Sequence, residues 1–207
     1  MSADRFVSVI GAGGHAKVVI STLRALGYTV KAAFDDDPTK IGAMILGVQV
    51  LGATSKFDNV GKVIIAVGDN HKRESIAQRF KDAEWVTAVH PQAYVDPSAK
   101  LGAGTVVFAG SVIQAESIIG SHVIINTGAT VDHDCVVGDY SHIAPGAHLA
   151  GGNRVGQGVL LGIGAVVVPG RRIGDRVVVG AGGVVLKDLS AGATAYGVPA
   201  APRKSRP

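Results

Sequence analysis

One cysteine in 207 residues excludes an intrachain disulfide framework and suits a reducing compartment. Aromatics make up only 5% of the chain, with a single tryptophan, so the interior must be filled by aliphatic side chains. No run of about 18 apolar residues occurs, which excludes a membrane-spanning helix. Met1–Gly11 has no signal-type apolar stretch either. The expectation is a soluble, cytoplasmic protein without membrane insertion. No dense basic stripe with interleaved aromatics exists, so nucleic acid is not an expected partner. The net charge of +4 comes largely from late basic residues: Arg171, Arg172, Arg176, Lys187, Arg203, Lys204 and Arg206. These read as solvated surface, or as a field that attracts anionic small molecules.

What is abundant is glycine, 29 residues, and a fixed repeat. Sixteen hexapeptides run from Val95 to Ser190 in one register, and each starts with Val, Leu or Ile. A short fixed period is the signature of a solenoid, and hexapeptides specify a parallel β-helix. Three hexads make one triangular coil, and coils stack at roughly 4.8 Å. Just over five coils are expected, a prism roughly 25 Å tall. The fifth hexad position is small and inward, and it holds Cys135, which reads as a core thiol rather than a nucleophile. The sixth position points outward. One face then carries Val106, Ile124, His142, Leu160 and Val178, and the next carries Val112, Thr130, His148, Val166 and Val184. Both are too apolar for water. The expectation is that prisms pack side by side in a threefold ring, with His142 and His148 at or near subunit interfaces.

The first ninety residues read differently. Strands are expected at 5–10, 29–34, 62–67 and 85–89, with helices at 16–26 and 71–81. Strand–helix alternation implies a parallel sheet with ligands at the carboxyl ends of its strands. The fold class is therefore α/β plus β-solenoid: a small Rossmann-like domain over 1–90, followed by a β-helix over 91–207 with a C-terminal tail.

Gly11-Ala-Gly13-Gly14-His15-Ala follows the first strand and opens the first helix. Such glycines let a phosphate approach the backbone at a helix N-terminus. Asp35 and Asp36 lie the right distance beyond for a ribose contact. The pattern alone fits a nicotinamide cofactor, but the segment is short for a full dinucleotide fold, and a nucleotide diphosphate fits better. His15 would project towards that ligand. A second cluster, Asn126 to Cys135, contains Asp132-His133-Asp134 at a prism corner. A histidine flanked by carboxylates is a stronger base. Register sends His133, Cys135 and His142 in three directions, so no metal site is expected.

The prism, the glycine loop and the Asp-His-Asp corner together resemble the sialic-acid and bacillosamine-type sugar acyltransferases of bacterial glycan synthesis. That family belongs to the left-handed β-helix superfamily. The resemblance implies left-handed coils, a homotrimer, and sites lying between neighbouring prisms. It implies sugar-nucleotide binding by Gly13, Gly14, His15, Asp35, Asp36 and Gly68. It implies His133 as general base, tuned by Asp134, with Asn126 beside the reacting centre. His142, Ile163 and Ala181 match its acetyl-CoA positions, and Gly197–Ala200 matches the tail over the pantetheine arm. The expected activity is N-acetylation, from acetyl-CoA, of a nucleotide-activated amino sugar of the 4-amino-4,6-dideoxy type. The amine attacks the thioester directly, and His142 is a candidate donor to its carbonyl. The alternatives are O-acetylation of a sialic-acid-like sugar, a non-catalytic trimeric scaffold, and a nicotinamide oxidoreductase.

Overall fold

The computed structural model describes residues 5–202. Arg203, Lys204 and Arg206 of the basic tail lie outside the described residues. The first part is a six-stranded sheet with order β3-β4-β2-β1-β5-β6. Its strands are β1 (Phe6–Ile10), β2 (Thr29–Phe34), β3 (Met44–Ile45), β4 (Val48–Gly52), β5 (Lys62–Ile65) and β6 (Glu84–Trp85). Helix α1 (Gly14–Ala25) follows β1, and α2 (Asn70–Arg79) follows β5. All strand pairs are parallel except β3–β4. That hairpin was not anticipated. Its turn, Leu46-Gly47, has positive φ at both residues (45° and 73°), as the twist of a two-residue hairpin requires. Alternating burial of Val48 and Val50 then fixes its register.

The strand expected over 85–89 is divided between two sheets. Trp85 pairs with Val63 in the α/β sheet, whereas Ala88–Val89 pairs with Val106–Val107 in the solenoid. The chain crosses from one unit to the other at Val86-Thr87, and the first solenoid strand lies one hexad before Val95. Three parallel sheets then form the faces of the prism, with eight, six and five strands. Leaving aside the terminal Ala201–Pro202, which turns back antiparallel, eighteen strands over three faces make six coils among the described residues. The last coil is short. Leu189 bridges Ile173 and Ala195 pairs with Val179, a step of sixteen residues instead of eighteen.

The register reads as the repeat requires. Every first-position residue from Val107 to Val185 is 3% exposed or less. Polar residues in the inward fifth position are satisfied by the coil itself. Thr105, Ser117 and Ser141 each donate to a carbonyl fifteen residues on: Gly120, Asp132 and Gly156. Each accepts from an amide eighteen residues on: Val123, Cys135 and Val159. A buried hydroxyl with both bonds made carries little desolvation penalty.

One expectation is corrected. The stripe beginning at Val106 and Ile124 is no subunit interface at that end. Val106 and Ile124 are 2% and 1% exposed within the single chain, packed with their prism neighbour Phe108 against Val19 and Leu23 of the N-terminal unit. An apolar stripe records that something covers it, not what does. The second face has no such cover: His148 and Val166 are exposed and Val112 is half-buried. Among the described residues, no helix is long and apolar enough to cross a membrane.

Candidate functional site

Two clefts flank the turn that links β5 to α2. The first, of about 470 Å³, is lined by Gly11, Asp35, Asp36, Lys40, Thr54, Val67, Lys72, Ser75 and Arg79, among others. Gly11 must be glycine: its φ is +111°, and a Cβ would sit 2.7 Å from the Ala66 carbonyl oxygen. Gly13 caps α1 without a side-chain bond, and a Cβ on Gly13 or Gly14 would meet nothing within 4 Å. Gly13 and Gly14 are not among the residues that line this cleft, but they open a helix whose N-terminus favours an anion.

Asp35 and Asp36 differ in what they do. Asp35 accepts the Ala12 amide at 2.7 Å, the Asp37 amide at 2.9 Å and Lys40 Nζ at 3.0 Å. It buckles the glycine loop to the end of β2. Burial pushes its carboxyl up, but those three donors outweigh burial and hold it below the usual range. Asp36 is more open. It accepts the Thr54 hydroxyl and amide, which hold its carboxyl low, and Arg79 stands 3.6 Å away. Lys72, Ser75 and Arg79 escaped the reading of the sequence. Their spacing puts them on one face of α2, turned to this cleft.

The second cleft, of about 540 Å³, brings together the three residues matched to acetyl-CoA: His142, Ile163 and Ala181. Gly68, Asn70, His71 and Arg176 line it as well. Gly68 was expected beside the nucleotide; it lines this cleft instead, and its neighbour Val67 lines the other. The turn at 67–70 is thus a wall common to both.

The tautomer of His142 follows from its neighbour Asn126. Asn126 accepts the Thr127 amide on Oδ1, which turns its Nδ2 towards His142 Nε2 at 2.9 Å. Nε2 is therefore an acceptor. The other nitrogen bonds the backbone at Gly68. Burial, then the charge of Arg73 and the neighbouring His15, lower its pKa to about 3. With Nε2 turned to Asn126, a donor role for His142 would run through its other nitrogen, the one beside Gly68. His15 stands beside it, ring centroids 6.2 Å apart, and packs edge-on against Phe108. Burial and Arg73 lower the His15 pKa to about 4, and its Nε2 is buried without a partner.

The Asp-His-Asp corner lies apart from both clefts. His133 is 61% exposed, and its Nδ1 is 2.7 Å from Asp134 Oδ2. Asp134 holds that position with a left-handed backbone, φ 60°. Asp132 accepts the His133 amide, and the ring lies so close over Gly151 that a Cβ there would come within 2.6 Å of its Cε1. The Asp134 hydrogen bond raises the His133 pKa above the ordinary imidazole value, with burial opposing it. With Nδ1 bound to Asp134, Nε2 is the free basic nitrogen. Cys135 is fully buried, donates a thiol hydrogen bond to the Ala150 carbonyl, and has its pKa pushed up by burial. Among the described residues, no cluster of three His, Cys, Asp or Glu could hold a metal ion.

Comparison with known proteins places this geometry. The PglD N-terminal domain model matches residues 7–80, and the bacterial transferase hexapeptide model matches 116–151. A variant of perosamine N-acetyltransferase from Caulobacter crescentus, solved with CoA and GDP-perosamine, is 46% identical. That match covers 96% of this chain and 97% of the other, with a TM-score of 0.91. The acetyltransferase domain of PglB from Neisseria gonorrhoeae is 39% identical over 97% of this chain and 100% of its own, also with a TM-score of 0.91. UDP-N-acetylbacillosamine N-acetyltransferase from Bacillus subtilis is 39% identical over 113 residues, half of this chain. The chain spans 24% and 51% of the lengths of the curated relatives it matches. By the near-complete structural matches, the chain belongs to the PglD-like sugar N-acetyltransferases of the left-handed β-helix, hexapeptide-repeat superfamily.

Proposed function

We propose that this protein moves the acetyl group of acetyl-CoA to the amine of a nucleotide-linked amino sugar of the 4-amino-4,6-dideoxy type. The observation that carries the reading is the common wall: a cleft with Lys40, Lys72 and Arg79 and a cleft with His142, Ile163 and Ala181 meet at the turn 67–70. Residues 1–90 would hold the nucleotide end through Gly13, Gly14, His15 and Asp36. Residues 91–207 would hold acetyl-CoA, with the Gly197–Ala200 turn near the arm. The Caulobacter relative, solved with CoA and GDP-perosamine, supports the pairing of ligands.

His133 lines neither cleft of its own chain. We infer that it serves a neighbouring copy in a cytoplasmic homotrimer, whose contact would use the uncovered second face. The amine nitrogen attacks the thioester carbon, the new C–N bond forms, and the C–S bond breaks to release CoA thiol. Nε2 of His133 takes the amine proton, and Asp134 holds Nδ1–H and supports the imidazolium. Asn126, fixed by Thr127 and His142, stands as the ordered side-chain amide near the reacting centre. Buried Cys135 offers no accessible thiol nucleophile, which supports direct transfer. Thiol release measured with GDP-perosamine, other nucleotide-linked amino sugars and free sialic acid tests the proposal. Release that needs a nucleotide-linked amine supports it; release with sialic acid alone selects O-acetylation and overturns it.

The pH dependence has a sign. The base works unprotonated, and its pKa is raised above that of an ordinary imidazole chiefly by the Asp134 bond. The rate should therefore fall as pH drops, through a point above the range of an ordinary imidazole. Asp134→Asn removes the carboxylate charge and leaves at most a neutral acceptor, so its acidic limb should lie at lower pH. A profile of kcat against pH in which the limb does not move would contradict Asp134 as the tuning group.

A further inference from the structure

We propose that Arg73 is the positioning residue for the wall between the two clefts, and so for the binding of both substrates. The inference rests on the function proposed above. Arg73 is 1% exposed, in a helix whose other residues are mostly solvated. Its fork uses every donor it has. Nε gives to the His122 carbonyl at 2.8 Å, and Nη1 gives to the Val67 and Gly68 carbonyls at 3.0 and 3.1 Å. Nη2 gives to Asn70 Oδ1 at 2.8 Å and to the Tyr140 carbonyl at 2.6 Å, with Ser141 more distant at 3.3 Å. Asn70 in turn donates to the Gly158 and Val159 carbonyls.

These acceptors fall into two groups. Val67, Gly68 and Asn70 form the wall; His122, Tyr140, Ser141, Gly158 and Val159 belong to three successive prism coils. The guanidinium therefore pins the turn from the α/β unit onto the solenoid. It does so at the residue whose backbone also bonds His142. A planar fork with five fixed donors can span carbonyls on three chain segments, which a lysine ammonium cannot. If the turn relaxed, Val67 would shift in the nucleotide cleft while Gly68 and Asn70 shifted in the other.

The test is calorimetric binding of CoA and initial-rate kinetics on the wild-type chain, Arg73→Lys and Arg73→Met. In folded Arg73→Met, the Kd for CoA and the KM for the nucleotide sugar should both rise by roughly tenfold or more, with Arg73→Lys in between. A merely structural arginine would lower the melting temperature and leave both constants unchanged, and that result overturns the proposal. Should Arg73→Met not fold, Asn70→Ala cuts the same network beside an intact arginine. It should raise the CoA Kd severalfold, and an unchanged Kd overturns the proposal. Wild-type protein that fails to bind CoA would overturn the functional reading itself; wild-type binding with unchanged variants would overturn only the role of Arg73.

Discussion

Replacing His133 with alanine is expected to lower kcat by about 10²–10⁴ while acetyl-CoA binds as before. The size is that of a positioned general base removed from a reaction otherwise driven by orientation. The split follows from geometry. His133 lines neither cleft, is exposed, and touches Asp134, Asp132 and Gly151. Its loss should leave folding within about 0.5 kcal/mol of the parent, as for other surface changes. Steady-state kinetics beside CoA titration checks this. Full activity would remove His133 from the mechanism, and lost CoA binding would make it a binding residue instead.

Gly138→Ala is expected to destabilise the prism by about 3 kcal/mol, at the upper end of overpacking costs. Gly138 occupies the second hexad position, where coils approach most closely. A Cβ there would lie 2.6 Å from the Gly156 carbonyl carbon and 2.7 Å from the Gln157 nitrogen. Both are backbone atoms of the next coil, so relief requires the stack to open. For a chain of this size the melting temperature should fall by roughly 6–12 °C. Gly170→Ala is the control. It has φ +69° but nothing within 4 Å of a Cβ, so it should cost only the left-handed strain of about 1 kcal/mol. Equal effects at the two positions would contradict close approach as the reason for glycine at Gly138.

The prism was the most legible part of the chain, because a period of six fixes the direction of every side chain. Cys135 inward, His133 at a corner and Ile163 stacked over Ala181 follow from counting. Periodicity does not identify what a face meets. Val106 and Ile124 were apolar for the sake of the chain's own N-terminal unit, a packing between units that no local pattern encodes. The Leu46-Gly47 hairpin was missed because its two-residue turn lacks the Asn-Gly or Asp-Gly signal. Arg73 was invisible for a different reason. In a helix reading Asn-His-Lys-Arg-Glu, a buried arginine looks like its solvated neighbours until the carbonyls around it are known. Lys72, Ser75 and Arg79 could have been found from their helical spacing once the turn before α2 was taken as a ligand-binding edge. The tautomer of His142 needed Asn126 and Thr127 in place, which register alone does not supply.

The central claim is direct acetyl transfer from a thioester to a sugar amine. Its most direct test is to follow acetyl-CoA labelled at the acetyl carbonyl carbon by NMR, during turnover with a nucleotide-linked amino sugar. The account requires the thioester signal to pass to a single amide signal on the sugar, with no enzyme-bound intermediate and in step with CoA thiol release. Label found in a sugar ester, in free acetate or in a thioester on Cys135 would contradict it.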